Sequence, residues 1–151
     1  MKIASILALL FLPMLALAQS TDDFMMASRT AAPDASTDYP LIRCAALQLS
    51  TMTFAGVEVM GEERYSESIE VQKEFGISAA IVRAKEKDLD PNSLIPLVIN
   101  DIQVISDMYL DRYRTNTQTA GFPFANDQMW KDDQNYCAGL YERVIETAAG
   151  E

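Results

Sequence analysis

The pattern of apolar and polar positions divides this chain into three regimes. Residues 3–17 are apolar or small except for Ser5 and Pro13. Residues 19–38 carry Ser, Thr, Asp and Ala without a sustained period, interrupted only by the apolar island Phe24-Met25-Met26. From Tyr39 onward apolar residues recur every three or four positions, the mark of amphipathic helices. Two-residue alternation is nowhere sustained, so the fold is expected to be all-α.

Four helical segments follow from that period. The first covers residues 40–60, with Asp38 as expected N-cap, Pro40 in the first turn and Gly61 at the exit. Its stripe is Leu41, Cys44, Gln48, Met52, Ala55 and Val59. The second covers 62–87, with Ile69, Gln72, Phe75, Ala79 and Val82 on one side and Glu63, Glu67, Glu70 and Glu74 largely on the rest. Gly76 inside it costs about 1 kcal/mol relative to Ala, so either the helix breaks there or a neighbour comes close. Asp90-Pro91-Asn92-Ser93 announces the third, with Asn92 or Ser93 as cap and a seam of Ile95, Val98, Ile102, Ile105 and Tyr109. The fourth runs from Asn126 or Asp127 to Ala148, with Met129, Trp130, Tyr136, Cys137, Leu140, Tyr141 and Val144 at helical spacing. Short polar connections favour antiparallel neighbours, which predicts an up-down four-helix bundle for residues 39–151. Residues 19–38 are expected to form a flexible N-terminal segment.

The first regime is expected to be a cleaved leader. Lys2, the apolar run and Ala16-Leu17-Ala18 are the three parts of a secretory signal, cut after Ala18. A spanning helix needs about 20 apolar residues, more than this run holds. The expected location is periplasmic or secreted, with no membrane attachment after cleavage. Export in turn favours a disulfide between Cys44 and Cys137, one on the inward stripe of the first helix and the other on that of the last. Two buried free thiols are the alternative.

Charge then narrows the partners. The chain holds 12 Lys+Arg against 22 Asp+Glu, a net charge of −10, and the leader takes Lys2 and no acid with it. Such a surface repels nucleic acid and anionic membrane and attracts basic proteins or cations. Histidine is absent, which removes Ser-His and Cys-His pairs, the commonest zinc ligand, Cys-x-x-Cys-His haem attachment and Glu-x-x-His di-iron ligation. No cofactor and no metal site is expected. Asp88-Leu89-Asp90-Pro91-Asn92 starts like a calcium loop, but Ser93 and Ile99 stand where such a loop needs Gly and Glu.

Between the last two helices, residues 115–126 read as a polar loop holding Gly121-Phe122-Pro123-Phe124. Phe122 and Phe124 either project as an interface anchor, flanked by Arg112 and Arg114, or fold back to cap the end of the bundle. Folding back is the commoner fate of such aromatics. Trp130 is expected in the core.

Three stretches carry a resemblance: Leu41-Ile42-Arg43-Cys44-Ala45-Ala46, Tyr109-Leu110-Asp111-Arg112-Tyr113, and Tyr136-Cys137-Ala138-Gly139-Leu140-Tyr141. In this order, over residues 40–145, the layout resembles the periplasmic immunity proteins that neutralise type VI secretion amidase toxins. The resemblance implies a small exported helical protein, often a homodimer, that binds and inhibits an enzyme. The acidic surface, the stapled scaffold and the lack of catalytic motifs make the expected function a non-enzymatic exported protein that binds a protein partner, such as a basic enzyme. The alternatives are a helical bundle binding a small ligand or cation, with Gln48 and Gln72 inside, and a hydrolase using two of Glu62, Glu63, Glu67, Glu70, Glu74, Asp132 and Asp133.

Overall fold

The computed structural model describes residues 21–124 and 126–149, and the leader assigned to residues 1–18 lies outside them. The described residues form five helices and no strand: α1 (Thr21–Ala31), α2 (Tyr39–Met60), α3 (Glu62–Lys87), α4 (Pro91–Ala120) and α5 (Gln128–Ala149). The fold is all-α, and the expected count of four helices is corrected to five.

The added helix lies in the segment expected to be flexible. Phe24 is fully buried, its ring centroid 4.6 Å from that of Tyr109 on α4. Ser28, also buried, shares a hydrogen bond with the Tyr39 hydroxyl. Asp22 and Asp23 in the first turn and Arg29 in the last complement the helix dipole. One docked aromatic thus orders a segment whose composition alone could not.

The expected boundaries of α2 and α3 match closely, but their caps differ in detail. Asp38 makes no side-chain cap on α2; its carboxylate accepts from the Ser36 N–H at 2.8 Å and from Arg83. Gly56, with φ of 69°, kinks α2, and beyond it Val57 and Val59 are exposed, so the expected stripe stops packing well at Met52. Gly76 does not break α3, which runs continuously to Asp88.

Asp90, and not Asn92 or Ser93, caps α4 by accepting from the Asn92 N–H at 3.1 Å. α4 also runs past the expected loop start at residue 115 and ends at Gly121, where φ is 76°. The hydroxyls of Thr115, Thr117 and Thr119 donate to the carbonyls of Asp111, Tyr113 and Thr115 one turn earlier, which satisfies these polar side chains within the helix. A polar run that resembles a loop is therefore compatible with helix.

α2, α3 and α4 pack chiefly on one another, α1 lies on α4, and α5 lies against α2 and α3. Ile42, Leu47, Phe75, Ala79, Val98, Ile102 and Ile105 fill the centre. The Cys44–Cys137 disulfide ties α2 to α5 with a Cα–Cα distance of 5.4 Å, closing 93 residues of chain. In the chain-entropy picture a loop of that length stabilises by about 4 kcal/mol.

The interior is not purely apolar. Arg83 on α3 is fully buried; its Nε donates to Asp38 and its Nη2 to Asp101, each at 2.7 Å. Burial opposes the Arg83 charge, but its two carboxylate partners more than offset this and leave the pKa raised. Three helices, α2 at its start, α3 and α4, are thereby held through one guanidinium.

Candidate interaction surface

Three regions outside the centre carry exposed or convergent side chains. The first is the aromatic connection into α5. Phe124 tucks in: it stacks on Trp130 with centroids 4.5 Å apart and meets Tyr113 edge-on at 5.0 Å. Phe122 stays 56% exposed and packs edge-on against Phe124 at 5.6 Å. The two phenylalanines paired as anchors thus divide, one inward and one outward.

The arginines expected to flank that anchor are occupied within the chain. Arg112 donates through Nε at 2.6 Å and Nη2 at 2.8 Å to Asp127. Asp127 also accepts from Asn116 and from the Trp130 N–H, which makes it the cap of α5 and a clamp on α4. Burial raises the Asp127 pKa, but the Arg112 hydrogen bond, the Trp130 N–H and the Asn116 amide outweigh it and hold the carboxyl below its usual range. Arg114 is exposed and pairs with Asp111 at 2.7 Å on the same helix. This end of the molecule is held together by its own polar groups.

The second region is a cleft of about 500 Å³ between α1, α2 and α5, lined by Met25, Arg29, Tyr39, Arg43, Asp133 and Tyr136 among others. Its floor is a buried network. Arg43 donates through Nε to the Tyr109 hydroxyl at 3.1 Å and through Nη2 to Asp133, while Tyr109 donates to the other Asp133 oxygen at 2.5 Å. Burial, with the Asp133 charge behind it, raises the Tyr109 pKa well above that of a free phenol and keeps the hydroxyl as donor. The Arg29 guanidinium lies 4.1 Å over the Tyr39 ring at the cleft wall. The floor groups satisfy one another first, and the cleft wall adds Arg29 together with exposed Thr21, Asp22 and Asp132.

The third region is the outer face of α3 and α4. Ile77 and Ile81 on α3 are each 52% exposed, and Ile95 and Ile99 on α4 are 38% and 59% exposed. Each pair is spaced i,i+4 and so lies on one side of its helix. The expected inward seam included Ile95; the structure places Val98, Ile102 and Ile105 inward and leaves Ile95 on the rim. A groove of about 240 Å³ runs between the helices, lined by Gln72, Lys73, Gly76 and Ile77 on α3 and by Ile95, Val98, Ile99 and Ile102 on α4. Gln72 therefore faces this groove, half-buried, rather than an interior pocket.

The charge of this face is unusual for so acidic a chain. Residues 91–106 contain one ionisable side chain, Asp101, and it is buried against Arg83. The exposed part of that stretch is therefore uncharged. α3 is charged: Glu62, Glu63, Glu67, Glu70 and Glu74 are all exposed along it, with Glu63, Glu67 and Glu70 lining a separate pocket beside Tyr141 of α5, and Lys73 lines the groove itself. Asp132 is exposed too, while Asp133 is enclosed by Arg43 and Tyr109. Among the described residues no group of three His, Cys, Asp or Glu side chains could hold a metal ion, and no helix is long and apolar enough to cross a membrane.

Sequence reasoning missed this face because Ile95, at helical spacing, reads as core, while Ile77, Ile81 and Ile99 lie off the expected stripes. The usable signal was the rarity of charge over residues 91–106, which marks a helix apolar on more than its inward side. Comparison of the chain with protein-family models, with curated proteins and with solved structures finds no match, so the geometry above carries the functional argument.

Proposed function

We propose that this protein is a non-enzymatic binder of a basic protein, with the α3–α4 face as the contact surface. One observation carries the reading: exposed Ile77 on α3 and Ile95 and Ile99 on α4 line a groove whose α4 wall is uncharged, in a chain of net charge −10. Contiguous apolar surface ringed by polar residues marks protein-interaction sites. The acidic surroundings would steer a basic partner and repel acidic ones, while the neutral centre avoids the cost of burying unpaired charge. A stapled, ion-paired scaffold presents that face rigidly, which lowers the ordering cost of binding. Inhibition of a basic enzyme in the exported compartment, the role of the immunity proteins it resembles, is the form of this function we favour.

The test is capture at low salt with the wild-type chain and with Ile99→Glu in parallel. The reading expects a basic protein that wild type retains, that Ile99→Glu loses, and that rising salt releases. Retention of the same protein by Ile99→Glu, or no partner for either chain, would overturn it.

The α1–α2–α5 cleft supports a second reading, a site for a small anionic molecule beside Arg29 and Arg43. It ranks lower because Asp133 already neutralises Arg43. A ligand screen by thermal shift in which Arg29→Ala abolishes a response would raise it.

A further inference from the structure

Gly76 is the residue of the α3–α4 face that the fold itself does not explain. It lies inside a continuous helix, where glycine is less favourable than alanine because it orders more backbone freedom for no side-chain contact. Its φ is not positive, so no left-handed backbone requires it. Close packing does not require it either: a Cβ there would meet only the Ile102 Cδ1 at 3.6 Å, an ordinary contact. Gly56, Gly61 and Gly121, by contrast, all have positive φ at a kink or helix end. What Gly76 does provide is space, since it lines the groove between Ile77, Ile99 and Ile102.

We propose that Gly76 is a notch for one apolar side chain of the partner, presented by a helix that lies in the α3–α4 groove. The inference rests on the α3–α4 face being the partner surface. Helix-in-groove recognition uses a row of apolar anchors at i, i+3/i+4 and i+7, and Ile77 on one wall with Ile95 and Ile99 on the other offers apolar contacts to such a row. The occupant's flanking positions carry Lys or Arg. The chain's net charge of −10 favours a basic occupant, the α4 wall adds no positive charge over residues 91–106, and Lys73, the charged side chain that lines the groove, is paired with Glu70 at 3.0 Å. A second copy of this chain fits less well, because each copy carries a net charge of −10 and the two repel.

The experiment uses the purified full chain and two synthetic helical peptides. Both have one leucine face; the flanking positions are Lys in one and Glu in the other. Binding is read by fluorescence anisotropy at low salt, and folding by thermal melting. Gly76→Ala should raise Tm by roughly 3–6 °C, yet bind the Lys peptide at least fivefold more weakly than wild type does. A Lys peptide with its central leucine changed to alanine should bind both chains equally. Unchanged or tighter binding by Gly76→Ala overturns the notch while leaving the face as partner surface. A Glu peptide that binds as well as the Lys peptide overturns the basic occupant. If wild type binds neither peptide, or Ile99→Glu binds the Lys peptide as wild type does, the face itself is not the partner surface. A concentration-dependent dimer that Ile99→Glu abolishes assigns the groove to a second copy and also overturns the proposal.

Discussion

The two sides of α4 solve opposite problems. Toward α1, α2 and α5 it presents Tyr109 and Tyr113, buried hydroxyls tied into networks with Arg43, Asp133 and Ser50. Away from them, beside α3, it presents Ile95 and Ile99 with no polar partner and no cover. The inner side places polar atoms where apolar ones would pack more cheaply, which fixes one geometry. The outer side places apolar atoms where polar ones would be more soluble, which leaves a surface for something else. Substitutions should therefore act on stability on one side and on binding on the other.

The largest effect should come from Arg83→Met. It leaves the Asp38 and Asp101 carboxylates buried without their cation, and removing one partner of a buried ion pair costs about 3–5 kcal/mol. Urea unfolding should show it; a change under about 1 kcal/mol would mean that solvent reaches the triad. Next is the double change Cys44→Ala with Cys137→Ala, expected to cost about 2–4 kcal/mol by the same measurement. Tyr109→Phe strands Arg43 Nε and one Asp133 oxygen and should cost about 1–3 kcal/mol. Ile99→Glu, at 59% exposure, should move stability by less than about 0.5 kcal/mol while removing partner binding. Equal effects from Tyr109→Phe and Ile99→Glu on stability would erase the contrast between the sides.

The smallest effects are in pH. The lowered pKa of Asp127 gives stability that is present above the unfolded carboxylate range and lost as pH falls through the folded value. Asp127→Asn should flatten that acid limb. At the alkaline end, burial pushes the Tyr113 pKa up to about 12 against an ordinary 10.0. A raised value gives stability present below pH 10 and lost as pH rises through about 12, so tyrosinate absorbance should show Tyr113 ionising late. Ionisation of every tyrosine near 10 would contradict its buried placement.

Much of this architecture is legible in local chemistry. Gly61 ends one helix, Asp90-Pro91 begins another, and the cysteines sit on inward stripes, so α2, α3 and the disulfide follow from spacing. What escapes is whatever depends on a distant partner. α1 rests on one phenylalanine meeting Tyr109, a contact 85 residues away in sequence that no local period announces. Arg83 gives no local sign of burial, since its partners Asp38 and Asp101 lie on other elements. Ile95 reads as core for the converse reason: spacing shows which residues share a face and not whether that face is covered. Arg112 shows both faults, since its partner Asp127 caps a different helix.

The central claim, that the uncovered side of α4 is the contact surface, is tested most directly by hydrogen–deuterium exchange of the full chain with and without the Lys-flanked helical peptide. The account predicts added protection confined to residues 72–81 and 95–102, with the α1–α2–α5 cleft and the Phe122 connection unchanged. Protection centred on Phe122 or on the Arg43 cleft, with 95–102 unaltered, would contradict it.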